Sequence, residues 1–222
     1  MTMKLIIGNK AYSSWSMRGW LAAKQSGLPF EEMTVPLYDD SWDERKREED
    51  LAPSSGKVPI LWDGETVVWD SLAIIDWLAD KVGRDRFWPK DEVARGMARS
   101  IAAEMHSGYV ALRRECPMNT RRSFTDVTIS EEARADAIRV LQTWAEARSR
   151  FGKDGPYLFG TFSAADIMLA PVVTRFVTYG FTLPGFAAAY VEAMMAHPWM
   201  EQWYSEAASK PWTIKRIEDT VT

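Results

Sequence analysis

The chain has 222 residues, 46% of them hydrophobic, enough for one large or two small domains with real cores. No apolar run approaches the ~20 residues of a membrane span, and the N-terminus MTMKLIIGNK lacks a small-residue cleavage pattern, so a cytoplasmic protein is expected. A net charge of −4 with no basic block argues against nucleic acid or acidic membranes as partners, while one cysteine, Cys116, and two histidines exclude a disulfide and a Cys/His zinc site, so no metal is expected.

Lys4 to Gly8 reads as a first strand, and a helix runs from Ser13 or Ser14 to Ser26, burying Met17, Trp20 and Leu21 and closed by Gly27 and then Pro29. Phe30 to Val35 gives a second strand, so strand, helix and strand make a right-handed βαβ unit with parallel strands. After a poorly patterned charged stretch, Val58 and Ile60 to Trp62 pair with Glu65 to Trp69 as a hairpin about a type I′ turn at Asp63-Gly64. Pro59 cannot sit inside a central ladder and belongs at the strand start, where cis X-Pro bonds concentrate. Asp70-Ser71 then caps a helix carrying Leu72, Ile75, Leu78 and Val82 on one face, and that helix end can hold an anion.

Residues 1–82 therefore form an α/β first domain, and Gly83 to Asp91 reads as a linker. The remainder, 92–222, is all helical. Val93, Met97, Ile101, Met105 and Leu112 mark one long helix stopped by Pro117, and Ala133 to Phe151 mark another ended by Gly152. Ser163 and Asp166 form a capping box, Pro171 interrupts the helix that follows, Pro184 to Ala196 gives a shorter helix, and Pro198 opens the last.

Val58-Pro59 and Asp70-Ser71 in the first half, with Ser163-Ala164-Ala165-Asp166 and His197-Pro198 in the second, resemble a cytosolic glutathione transferase: a thioredoxin-like domain followed by an all-helical one. Tyr12 to Arg18, YSSWSMR, is similar to the S-S-C-S-W-R stretch of the zeta class, departing at Trp15, where that class has cysteine. The resemblance implies that glutathione is the co-substrate and that the partner is a small electrophile. It also implies a homodimer in which the first domain of one subunit meets the helical domain of the other.

A free thiol has a pKa of about 8.5 and only its thiolate attacks, so the anion needs a hydrogen-bond donor near the positive end of a helix. Ser13 or Ser14 fills that role; zeta and phi patterns select Ser13, theta and delta patterns Ser14. By the same resemblance, Val58, held outward by a cis Pro59, pairs with the cysteinyl backbone; Asp70 and Ser71 take the γ-glutamyl end, and Lys57 meets the glycyl carboxylate. Candidates for the second-substrate wall are His106, Tyr109, Arg113 and Arg175, with Met105 more simply core; an arginine facing the cleft would favour an anionic electrophile. Conjugation, glutathione-dependent cis-trans isomerisation and non-catalytic ligand binding are the three activities compatible with this pattern.

Overall fold

The protein is described here by a computed structural model covering residues 2–124 and 127–219. Strands β1 (Met3–Ile7), β2 (Phe30–Thr34), β3 (Ile60–Asp63) and β4 (Thr66–Trp69) make one sheet in the order β2-β1-β3-β4. β1 runs parallel to β2, with Leu5 opposite Glu32, and antiparallel to β3, with Leu5 opposite Leu61. Period-two alternation divides the central strands between two apolar layers. Leu5, Ile7 and Leu61 join the main core beneath helices α1 (Ser14–Ser26) and α3 (Ser71–Val82), whereas Ile6 and Ile60 pack with Leu37, Leu51 and Ile214 on the other face.

Helix α1 is the crossover of the βαβ unit. Ser13 is its N-cap, accepting from Ser16 N, and Gly27 ends it in the left-handed conformation at φ 70°. It is buried on nearly every side because it packs both on α3 and on α7 (Ala164–Thr178) of the second half. Gly19 allows the closest approach: a Cβ there would lie 2.7 Å from the ring of Pro59.

The hairpin differs from expectation by one residue. Asp63 pairs with Thr66, so the two loop residues are Gly64 and Glu65, and only Gly64 has positive φ, at 62°. That is the pattern of a type II′ turn, which needs glycine only at its first central position, rather than type I′. Val58 lies outside the ladder, which starts at Ile60, and the Val58-Pro59 bond is cis as expected.

The second half contains α4 (Glu92–Ser107), α5 (Val110–Glu115), α6 (Glu131–Phe151), α7, α8 (Gly185–Met195) and α9 (Pro198–Ala208). Two four-residue helices, α2 (Trp42–Arg45) and α10 (Lys215–Glu218), lie near the chain's first third and its end. The single long helix expected from Val93 to Leu112 is in fact α4 and α5, broken where Gly108 turns extended and Tyr109 adopts φ 55°. Apolar spacing carried on across the break, so periodicity alone did not reveal it. Pro171 does not end α7; its missing N–H is tolerated inside the bundle, as the helix runs on to Thr178.

Asp166 fixes the entry to α7. Its carboxylate accepts from Ser163 N at 2.8 Å, Ser163 Oγ at 2.9 Å, Leu158 N at 3.2 Å and Tyr190 Oη at 3.0 Å. Complete burial pushes its pKa up to about 6 despite these donors. Residues 83–91 are not a loose tether: Phe87 and Trp88 are buried, and Phe87 O accepts from Ala164 N. Boundaries at Val82 and Glu92 are our proposal for the limits of the two halves; residues 220–222 of the expected second domain lie outside the described residues.

Candidate active site

A cavity of about 770 Å³ opens where the loop ahead of α1, the turn before β3, the start of α3 and the C-terminal segment converge. Ser13, Ser14, Lys57, Val58, Pro59, Asp70 and His106 all line it. The sequence thus placed seven expected residues on one surface although they span almost a hundred positions of chain.

The two serines are held differently. Ser13 Oγ accepts from Ser16 N at 3.2 Å and donates to Ser16 Oγ at 2.8 Å, and Ser16 Oγ also accepts from Gly8 N at 2.9 Å. This short chain of hydrogen bonds ties the helix cap to the end of β1. Ser14 Oγ takes part in none of the protein's hydrogen bonds among the described residues. The amides of Ser14 and Trp15 likewise meet no acceptor, as expected for the first turn of a helix, so the N-terminus of α1 offers free donors.

On the opposite side, Asp70 caps α3 from a left-handed backbone at φ 74°, its Oδ1 accepting from Leu72 N at 2.8 Å and Ala73 N at 3.4 Å. Its Oδ2 faces His106 Nε2 at 3.5 Å. Ser71 is the exception among the expected binding residues: it is fully buried and does not line the cavity, yet its Oγ has no hydrogen-bond partner there. A buried hydroxyl left unpaired at a helix N-terminus is a donor in wait of an acceptor. Between these two ends, the amide and carbonyl of Val58 lie outside every ladder and turn bond, so that backbone is free to pair.

Three of the four expected second-substrate residues are not on the cavity surface. Tyr109 is buried beside Glu104 and Thr143, its phenol pushed well above its usual range by burial, because its left-handed backbone turns it into the bundle. Arg175 is buried with Nε donating to Cys116 O at 2.8 Å and Nη1 to Pro171 O at 3.0 Å. Arg113 is half-buried one layer back, its guanidinium 5.0 Å from the Trp15 ring. Met105 is core, as the simpler reading had it, and Cys116 is buried with its thiol pushed up to about 11.

Residues given no role beforehand complete the lining, together with Trp69, for which burial was the simpler expectation and the cleft or an interface the alternative; it is exposed and lies on the cavity. Tyr12, Trp15, Leu37, Tyr38, Trp42 and Trp69 supply aromatic and apolar surface, and Ile214, Arg216 and Ile217 close one side. Glu218 holds that C-terminal segment down, accepting from Tyr12 Oη at 2.7 Å and Asn119 Nδ2 at 3.0 Å. Burial and the adjoining Glu218 raise the Tyr12 phenol well above its usual range, so it stays a protonated donor. Tyr12 and Trp15 lie inside the YSSWS motif and could have been assigned from it; Ile214 to Ile217 had no motif to announce them.

A thioredoxin-like sheet half with a cis Val-Pro edge, a helical half, and a cavity bounded by the N-termini of α1 and α3 define the class as that of the two-domain transferases built on this fold. The sequence agrees: residues 12–81 match the family described as "Glutathione S-transferase, N-terminal domain", and residues 129–206 match "Glutathione S-transferase, C-terminal domain". The chain belongs to the glutathione S-transferase family, and is an enzyme of that class. A curated relative, glutathione S-transferase 1 of Dianthus caryophyllus, is 27% identical over 195 residues, covering 83% of each chain. Among solved structures, a glutathione transferase homologue from Burkholderia gl BGR1, with bound glutathione, superposes with a TM-score of 0.71 at 22% identity, over 95% of this chain and 100% of that one. The theta-class enzyme of Xanthomonas axonopodis pv. citri, also with glutathione bound, gives 0.64 at 18% identity, over 96% and 99%. Both share the fold.

Proposed function

We propose that the protein binds glutathione in this cavity and transfers its thiolate to a small electrophile. The observation that carries the reading is the convergence on one cavity of the free amides at the N-terminus of α1, the unpaired backbone of Val58 and the Asp70 carboxylate at the start of α3. The cysteinyl unit pairs as an added strand with Val58. The γ-glutamyl carboxylate takes Ser71 at the N-terminus of α3 while Asp70 faces the ammonium, and Lys57, exposed at the rim, meets the glycyl carboxylate.

Ser13 is the thiolate donor in this reading. As the N-cap its side chain lies over the free amides of α1, where the helix field favours a negative charge. A hydroxyl hydrogen rotates to suit its partners. When the sulfur arrives, Ser16 turns its own hydrogen onto Ser13 Oγ, Ser13 turns its O–H from Ser16 toward the sulfur and keeps its proton as a hydrogen-bond donor, and the thiol proton leaves to solvent. One charge-assisted hydrogen bond of about 1.5–3 kcal/mol lowers a thiol pKa by about one to two units, from about 8.5 to about 7. The thiolate then adds to the electrophile and the leaving group departs with its electron pair.

Turnover of a chlorodinitroarene with glutathione tests the reading. Ser13→Ala is expected to cut kcat/KM by about a hundredfold and Ser14→Ala by less than about tenfold, since only the first removes the polarised donor. The reverse order would reassign the role to Ser14, and no binding of glutathione by calorimetry would overturn the reading as a whole. A homodimer belongs to the same proposal. The exposed ring of Trp69, at the outer strand beside Asp70, supports it, and sedimentation at micromolar concentration tests it.

A further inference from the structure

Lys10 lies in the loop between β1 and α1, three residues before Ser13, and its side chain is 1% exposed. Two indoles enclose its ammonium, Trp20 of α1 with its ring centre at 4.8 Å and Trp203 of α9 at 5.0 Å. Glu32 of β2 accepts from Lys10 Nζ at 2.7 Å, and Glu206 of α9 pairs with the same nitrogen. Both carboxylates are themselves oriented: Trp20 Nε1 donates to Glu32 Oε2 at 2.7 Å, and Gln202 Nε2 to Glu206 Oε1 at 2.7 Å. Partial burial works to raise the Glu206 carboxyl, but the hydrogen bonds from Lys10 and Gln202 bring it below its usual range, so it carries its charge. The main chain of Lys10 is tied to the same helix, its carbonyl oxygen accepting from Trp203 Nε1 at 3.0 Å.

A buried ammonium is a costly filling for a gap that an apolar side chain of like length would fill without desolvation. What the charge adds is direction, since it joins β2 of the sheet half to α9 of the helical half through one point of the loop. That point lies within the turn that ends at Ser13. The amides of Tyr12 and Ser13 both donate to Asn9 O, at 3.1 and 2.9 Å, closing a single turn over residues 9–13 with Lys10 inside it. Ala11 O accepts from Thr120 N at 3.0 Å and Asn9 Oδ1 from Leu37 N at 2.6 Å, so the turn is held on both sides of Lys10 as well. None of Lys10, Trp20, Glu32, Trp203 and Glu206 lines the cavity. We propose that Lys10 is a positioning residue: its clasp on two carboxylates and two indoles fixes the turn that presents Ser13 to the glutathione sulfur, so that α9 sets thiol reactivity from outside the cavity. This deepens the function proposed above and rests on that reading.

The test separates thiol reactivity from tripeptide affinity on the intact protein. S-methylglutathione keeps the backbone and both carboxylates of glutathione but has no ionisable thiol, so its affinity by calorimetry reports grip alone. Lys10→Met keeps the length of the side chain and removes its charge. Glu206→Gln, at a side chain 36% exposed on α9, removes the partner's charge and serves where the first variant does not fold. In either variant kcat for a chlorodinitroarene is expected to fall about tenfold, because a small displacement of a catalytic group carries a large loss. The pKa of the bound thiol, read by ultraviolet absorbance, is expected to rise about one unit, while S-methylglutathione affinity stays within about twofold of wild type. An unchanged kcat and thiol pKa beside a lowered urea midpoint would make Lys10 a packing residue and overturn the proposal. So would a parallel loss of S-methylglutathione affinity, which would mean that the clasp holds the binding surface rather than Ser13. If wild type binds no glutathione, the transferase reading falls and this proposal with it; an active wild type with indifferent variants sinks this proposal alone.

Discussion

Replacing Ser16 by alanine separates the proposed activating role of its hydroxyl from its place in the scaffold. Ser16 is fully buried, and its Oγ accepts from Gly8 N at 2.9 Å and from Ser13 Oγ at 2.8 Å. The substitution strands the Gly8 amide, a buried donor, at a cost of about 1–3 kcal/mol in unfolding free energy. It also removes the group that can polarise Ser13, and a loss of about 1.4 kcal/mol in support of the thiolate raises the thiol pKa by one unit. The pH profile of kcat/KM for a chlorodinitroarene should therefore shift its acid-side inflection up by about one unit. Below the inflection the rate falls about tenfold, and well above it the rate hardly changes. Titration of the bound thiolate by its ultraviolet absorbance reads the same pKa without turnover. If stability falls as expected but the thiol pKa stays where it is in wild type, Ser16 is a packing residue only, and the relay through Ser13 is wrong.

Other outcomes follow from contacts described above. Gly19→Ala drives a Cβ to within 2.7 Å of Pro59 and should weaken glutathione binding about tenfold by displacing the Val58 edge, read by calorimetry. Asp166 has a folded pKa of about 6, above its unfolded value near 4, so its contribution to stability is full below about pH 4 and is lost as pH rises through about 6; Asp166→Asn should flatten that part of the profile of urea midpoint against pH. Asp166→Ala strands four donors and should cost about 2–4 kcal/mol at any pH, measured by urea unfolding. Glu218→Gln keeps an acceptor for Tyr12 and Asn119 but removes the charge, so it should loosen the C-terminal segment and speed glutathione release about two- to fivefold in stopped-flow displacement.

The parts of the fold that were legible in the sequence are those written by local chemistry. Gly27 ends α1 because a left-handed residue was needed there, Asp70 opens α3, Ser163 with Asp166 opens α7, and Pro198 starts α9, each signal lying within four residues of the event it controls. What escaped was decided by distant partners or by the backbone alone. The break at Gly108 and Tyr109 interrupts an apolar pattern that continues unchanged on both sides. Gly64 could serve a turn of either hand, and the register of Asp63 against Thr66 settled which. Ile214 to Ile217 close the cavity through Glu218 and Tyr12, 206 positions apart, a pairing that no window of sequence contains. The site divided in the same way: the residues beside the α1 cap, the cis proline and Asp70 line the cavity, whereas Tyr109 and Arg113 follow a break that shifts the helical phase, and Arg175 is turned into the bundle by its bonds to Cys116 O and Pro171 O.

The burial of α1 between two halves has a bearing on how this protein could be re-engineered. Its Arg18 side chain is anchored to Met168 O on α7, while the groups we propose for glutathione's backbone and γ-glutamyl end, Val58 and Asp70, belong to the sheet half. A chimera that joined this sheet half to another helical half would keep the surface proposed to grip glutathione but would reset the tilt of the helix that carries Ser13. Affinity for the tripeptide and reactivity of its sulfur would then vary independently, so binding alone would be a poor guide when choosing which grafted variants to carry forward.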